Sequence, residues 1–292
     1  MFQRCLICTD FSDGLYRLLK FVSNLAGGGI KQIVFLHCVP IKEDCDIPRV
    51  DQEKIEEAKA RFAQELPEIP KGVEVVTEVL SGRPLDNIPK ILETYKSEVI
   101  FTGTSIRSLL QEKIFGSTTM GLAKLTPIPL TIFRPQLIST YTREELALRC
   151  EHLYRYLLIP YNNSDSAEYL IKQIKEIAQN RPEKSLEKIM LCWVVDDAGR
   201  RGVPIEYRLK EAHSKLEAVK AELEELNLQV NTEVRQGNPL LEILDAAVDF
   251  DISSIAIGSV AKNNLFEWTT PSFANEVLRR SWFPVLFFST SK

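Results

Sequence analysis

The chain has 292 residues, enough for two domains of ordinary size. Its 45% hydrophobic and 26% charged content is that of a globular protein, and no apolar run approaches the ~18 residues of a membrane span. The net charge of −4 argues against non-specific nucleic-acid binding, and Met1-Phe2-Gln3-Arg4-Cys5 lacks the layout of a secretory signal, so a cytoplasmic protein with no membrane or nucleic-acid partner is expected.

Short apolar runs alternate with longer amphipathic stretches. Cys5–Thr9 reads as a strand and Asp13–Leu25 as a helix, with Leu15, Leu18, Leu19, Val22 and Leu25 on one face and Gly27-Gly28-Gly29 ending it. Then come a strand at Ile33–Val39, a helix at Lys54–Leu66, a strand at Val73–Leu80 and a helix at Leu85–Tyr95, with Pro89 placed in its first turn. A strand at Glu98–Thr102, a loop and helix within 103–126, and a strand at Leu130–Phe133 complete the first half. The linker, residues 138–153, separates domains at 1–137 and 154–292; Thr142-Arg143-Glu144-Glu145 opens a short helix there with a capping box. The second half repeats the order. Its strands are Tyr156–Ile159, Lys188–Val195, Val230–Arg235, Ile252–Ile257 and Val285–Phe288. Its helices are Ser164–Gln179, Glu206–Leu226, Pro239–Val248 and Ser272–Ser281. The apolar stripe of Glu206–Leu226 fits packing on a sheet better than a short coiled coil.

The two halves are copies. Gly82-Arg83-Pro84-Leu85 matches Gly237-Asn238-Pro239-Leu240, Val99–Gly103 matches Ser254–Gly258, and Ile128–Phe133 matches Phe283–Phe288, all at an offset of 155 residues. Alternating strands and helices imply a parallel sheet with helices on both faces, whose ligands bind beyond the carboxyl ends of the strands. The six cysteines form no matching framework between the copies, and a spacing of three on a strand sends Cys5 and Cys8 to opposite faces, so reduced thiols are expected.

One loop carries the chemistry. Gly103-Thr104-Ser105-Ile106-Arg107-Ser108 follows a strand, and Gly116-Ser117-Thr118-Thr119 opens a helix. Glycine lets backbone amides approach an anion, a helix N-terminus supplies unpaired N–H groups, the hydroxyls add donors and Arg107 adds charge. Thr9 and Asp10 follow the first strand, where Asp10 could accept from a ribose hydroxyl or a base. These residues resemble the universal stress protein family, whose nucleotide-binding members carry G-x2-G-x9-G-[ST] after the fourth strand. Cys8-Thr9-Asp10-Phe11-Ser12, His37-Cys38-Val39 and Gly82-x-Pro84 resemble three further family segments, and the likeness runs through both halves. The resemblance implies two tandem Rossmann-like or flavodoxin-like domains of the adenine nucleotide α-hydrolase-like type, each with a five-stranded parallel sheet. It implies ATP or a related adenine nucleotide, with Mg as a candidate companion, held by Thr9, Asp10, Cys38, Gly103, Arg107, Gly116, Ser117, Thr118 and Thr119. It also implies a dimer edge at the last strand. Leu130–Phe133 would pair with Val285–Phe288 in an intramolecular pseudo-dimer, with homodimerisation as an option.

The chain departs from the motif at Ile106, where a β-branched residue stands for the middle glycine. The second half departs further: Ala261 and Pro271 replace two glycines, Asn162 replaces Asp10, Trp193 replaces His37, and Lys262 stands where Arg107 does. The nucleotide site is therefore assigned to the first half and the second is read as degenerate. The alternative is a nucleotide-free dimerisation and partner-docking module. No Gly-x-Ser-x-Gly, Walker or G-x-G-x-x-G pattern is present, and His37, His152 and His213 lack metal-ligand spacing. With no catalytic base identified, slow ATP hydrolysis is the most enzymatic activity expected.

Overall fold

Buried strands and amphipathic helices close into two parallel sheets, one in each half of the chain, in the computed structural model. It describes residues 1–12, 14–42, 49–103, 117–196, 203–260 and 273–290. In the first half, β1 (Arg4–Cys8), β2 (Gln32–Val39), β3 (Glu74–Ser81), β4 (Val99–Gly103) and β5 (Leu130–Phe133) lie in the order β3-β2-β1-β4-β5. Every pairing is parallel, with registers such as Cys5↔Ile33, Leu6↔Ile100 and Gly103↔Phe133. In the second half, β6 (Tyr156–Pro160), β7 (Lys188–Val195), β8 (Gln229–Gln236), β9 (Ser254–Ser259) and β10 (Val285–Ser289) take the equivalent order, β8-β7-β6-β9-β10, again all parallel. This is the Rossmann order; flavodoxin-like sheets place the third strand between the first and the fourth. Chain direction across the sheet reverses between β1 and β4, and between β6 and β9, so each unit has its crevice there.

The first expected helix is two. Residues Leu15–Phe21 form a 3₁₀ helix, followed by α1 (Val22–Gly27). Leu15, Leu18 and Phe21 are buried at a spacing of three, which stacks on one line in a 3₁₀ helix but drifts around an α-helix. Helix α2 (Gln52–Glu65) is capped by Asp51, which accepts from the Lys54 amide at 3.2 Å. Helix α3 (Pro84–Tyr95) begins on Pro84, so Pro89 lies inside the helix rather than in its first turn. Gly82 and Gly237 precede this helix and its twin with φ of 105° and 141°, a backbone that favours glycine; their amides bond the Val39 and Val195 carbonyls.

After β4 and the helix α4 (Ser117–Leu125), the connector forms two helices, α5 (Pro135–Thr140) and α6 (Arg143–Glu151). The capping box is present: Thr142 N donates to Glu145 Oε2 at 2.8 Å and Glu145 N to Thr142 Oγ1 at 3.3 Å. The segment expected as a linker packs on the first unit. Arg17 donates to the Ile138 and Tyr141 carbonyls, Ile138, Leu146 and Cys150 are buried, and a Cβ on Gly28 would stand 2.6 Å from the Glu151 carbonyl. The two compact units divide between Glu151 and His152.

The second unit adds α7 (Asp165–Gln179), α8 (Ile205–Glu224), α9 (Pro239–Asp249) and α10 (Phe273–Arg280). Strand β9 starts two residues later than expected. Asp251 takes φ of 51° and the Ile252 amide bonds the Ala247 carbonyl, so both residues close the end of α9. No helix among the described residues is long and apolar enough to cross a membrane.

Candidate functional site

In the first unit, Thr9 and Asp10 leave β1 beside Gly103 at the end of β4. Thr9 is buried; its amide bonds the Leu36 carbonyl at 3.0 Å, and its own carbonyl accepts from His37 Nδ1 at 2.9 Å. Asp10 is exposed. Its Oδ1 accepts from the amide and the hydroxyl of Ser12, both at 2.8 Å, across Phe11 at φ of 63°. This is an Asx turn. Asn162 builds the same turn in the second unit, accepting from the Ser164 amide at 3.2 Å across Asn163 at φ of 56°. The turn survives duplication while the negative charge does not.

The Phe11 ring sits 4.5 Å from His37 and 4.9 Å from Phe62, with the Arg61 guanidinium 4.4 Å above it. Burial pushes the His37 pKa below its usual value, favouring the neutral ring that donates to Thr9. Cys38 is half-buried and its thiol pKa is raised by burial; Asn87 Nδ2 approaches its Sγ at 3.8 Å and donates to the Ser81 carbonyl at 3.0 Å. The Cys38 side chain is therefore engaged with α3.

Gly103 lies opposite Phe133. One residue earlier, the Thr102 hydroxyl meets the Thr119 hydroxyl at 3.0 Å in a buried contact. Thr119, expected as a donor to an anion, thus ties the first turn of α4 to β4. Thr118 is half-buried, and Ser117 opens α4. Arg107 and Gly116, with Ile106, Ala261, Lys262 and Pro271, lie outside the described residues.

Arg134 was not anticipated. It follows Phe133, so the register sets it beside Gly103, and strand alternation puts it on the face of Ile132 and Thr102, which α4 covers. Its guanidinium is half-buried, has no hydrogen-bond or ion-pair partner among the described residues, and has its pKa lowered by burial. The corresponding residue after Phe288 is Ser289.

The second unit opens a cleft of about 300 Å³ at its own switch point, lined by Tyr161, Asn162, Ser166, Val194, Ile243 and Gly258 among others. Gly258 has a packing reason: a Cβ there would lie 2.7 Å from the Ser166 carbonyl oxygen and 3.1 Å from Leu170 Cβ, so its absence lets α7 close on β9. A further hollow of about 270 Å³ shares Asn162 and Val194 and reaches Trp193, Arg208 and Glu211. Neither hollow was legible in sequence, because the walls come from strand ends and helices far apart in the chain.

The family model for the universal stress protein family matches residues 1–134 and again 153–289. The chain belongs to the universal stress protein family. It is a tandem member, with one family domain in each half. Two curated relatives come from Methanocaldococcus jannaschii. Universal stress protein MJ0577 is 29% identical over 156 residues, covering 46% of this chain and 94% of that protein; MJ0531 is 28% identical over 144 residues, covering 47% and 82%. Each therefore corresponds to about one half of the tandem chain. A universal stress protein from Archaeoglobus fulgidus shares the fold across 98% of both chains, with a TM-score of 0.69 at 19% identity. In universal stress protein terms, the Asp10 turn, the Cys38 strand end and Gly103 lie at the switch point of the first domain, and Asn162, Val194 and Gly258 lie at that of the second.

Proposed function

We propose that the first domain binds an adenine nucleotide, ATP or a close relative, and that the protein is a cytoplasmic stress-response regulator with at most slow ATP hydrolysis. The observation that carries this is the switch point of the strand order between β1 and β4. Gly103 ends β4 there, next to a helix whose first turn is pinned to that strand by Thr119 and opposite the exposed carboxylate of Asp10. In this reading Asp10 accepts from the ribose or base, and the backbone beside Cys38 borders the base. Gly103, Gly116, Ser117 and Thr118 offer amides and hydroxyls to the phosphates. Arg134 supplies charge alongside Arg107, since a half-buried guanidinium without a carboxylate is costly until an anion joins it. Among the described residues no group of three metal-ligating side chains occurs, so any Mg would be held chiefly by the phosphates. The pairing of Leu130–Phe133 with Val285–Phe288, and homodimerisation, are proposed from the family resemblance alone.

The test is direct. Purified protein, denatured and assayed, should release adenine nucleotide, or the nucleotide-free protein should bind ATP by calorimetry. Asp10→Asn and Arg134→Gln should each weaken binding about tenfold, equivalent to about 1.4 kcal/mol. A nucleotide-free preparation that also ignores millimolar ATP would overturn the proposal in favour of a dimerisation and partner-docking module.

A further inference from the structure

The two domains carry the same turn and the same sheet order, yet the described residues of their crevices differ in charge. The Asp10 carboxylate of the first is the Asn162 amide of the second, and the Arg134 position beside Gly103 is taken by Ser289 beside Gly258. The second domain also holds the cleft of about 300 Å³, a size suited to a small ligand. Leu170, Val194, Ile243, Ile257 and Phe273 supply apolar wall, and no charged side chain is among its described lining residues. Uncharged polar groups interrupt that wall. Asn162 spends its carbonyl oxygen on the Ser164 amide, leaving its NH₂ group without a partner among the described residues. The Ser166 hydroxyl accepts from the Val260 amide and keeps its own proton to donate, and the Ser259 hydroxyl also borders the cleft.

We infer that this cleft is a separate binding site for an uncharged, mostly apolar small molecule bearing one or two hydrogen-bond acceptors. A phosphate brought into it would lose hydration with no cation among these lining residues to replace it, whereas an apolar body gains from leaving water. Asn162 and Ser166 then orient the ligand by its acceptors. Resting on the nucleotide reading of the first domain, the described residues thus give one crevice bearing Asp10 and Arg134 and one whose lining is uncharged, suited to two chemically different ligands.

The experiment uses the intact chain and the neutral fluorescent dye 6-propionyl-2-(dimethylamino)naphthalene, an apolar body with one carbonyl acceptor. Saturable fluorescence enhancement at one dye per chain is expected, unaffected by millimolar ATP. Ala274→Trp fills the cleft from α10 and should weaken dye binding about tenfold or more without a change in melting temperature. Should that variant fail to fold, Ser259→Leu narrows the cleft and carries the same expectation. Absence of saturable binding, binding that survives both substitutions, or ATP competing for the dye would each overturn the inference. Arg134→Gln should leave dye affinity unchanged, so failure of the nucleotide proposal and failure of this one are read separately.

Discussion

His37 shows how a residue at a crevice can be explained by its surroundings. Its Nδ1 donates to the Thr9 carbonyl, Phe11 packs on its ring, and Asp10 and Arg61 act on it with opposite signs. Burial is the largest influence and lowers its pKa from the usual 6.5; the Thr9 carbonyl and Asp10 raise it, and Arg61 lowers it. With a folded pKa below the unfolded one, the unfolded state binds more protons as pH falls. His37 therefore contributes stability that is present above about pH 6.5 and is lost as pH falls through the folded pKa. Urea midpoints measured at neutral and mildly acidic pH should show the advantage of the native protein over His37→Gln shrinking in acid; a gap independent of pH would exclude this role. The cysteines follow the same logic of position. Strand alternation separated Cys5 from Cys8, and Cys5 is fully buried while Cys8 is half-exposed, both as free thiols. Burial raises the Cys150 and Cys192 pKa values to about 12, so neither is ionised at neutral pH.

Between elements, the main difference from expectation is rotational. Serine and threonine at a helix start suggest an anion site, but sequence does not say which hydroxyl turns toward the sheet. Thr119 does, and with Thr102 it forms a buried pair. Replacing either by valine strands the other hydroxyl and should cost about 1–3 kcal/mol; replacing both should cost less than the two single losses added. Chemical denaturation of the four proteins measures this, and strict additivity would deny the coupling. The 3₁₀ helix at Leu15–Phe21 and the docked connector have the same origin. The i, i+3 spacing of Leu15, Leu18 and Phe21 could be seen in the chain, but the contacts of Arg17 with the Ile138 and Tyr141 carbonyls could not.

At the scale of the chain, each unit has its own five-stranded sheet and its own buried core, with the division between Glu151 and His152. Residues 1–151 expressed alone should fold with a cooperative melt, checked by circular dichroism. A chain that stays unfolded would show that the first unit depends on the second. The repeat offset and the alternation of strands and helices were legible, because two-sided burial and helical periodicity each leave a mark on a continuous stretch of residues. The candidate site was legible only in part. Asp10 and Gly103 stand at local chain features, whereas Arg134 enters through the register of β5 on β4, and the second cleft through walls drawn from β6, α7, β7, α9, β9 and α10. Residue order was sufficient to specify two tandem parallel α/β copies. Which hydroxyl is consumed by packing, and which strands and helices wall the cleft of the second unit, depended on folding, since those properties belong to side chains that become neighbours only when distant strands pair.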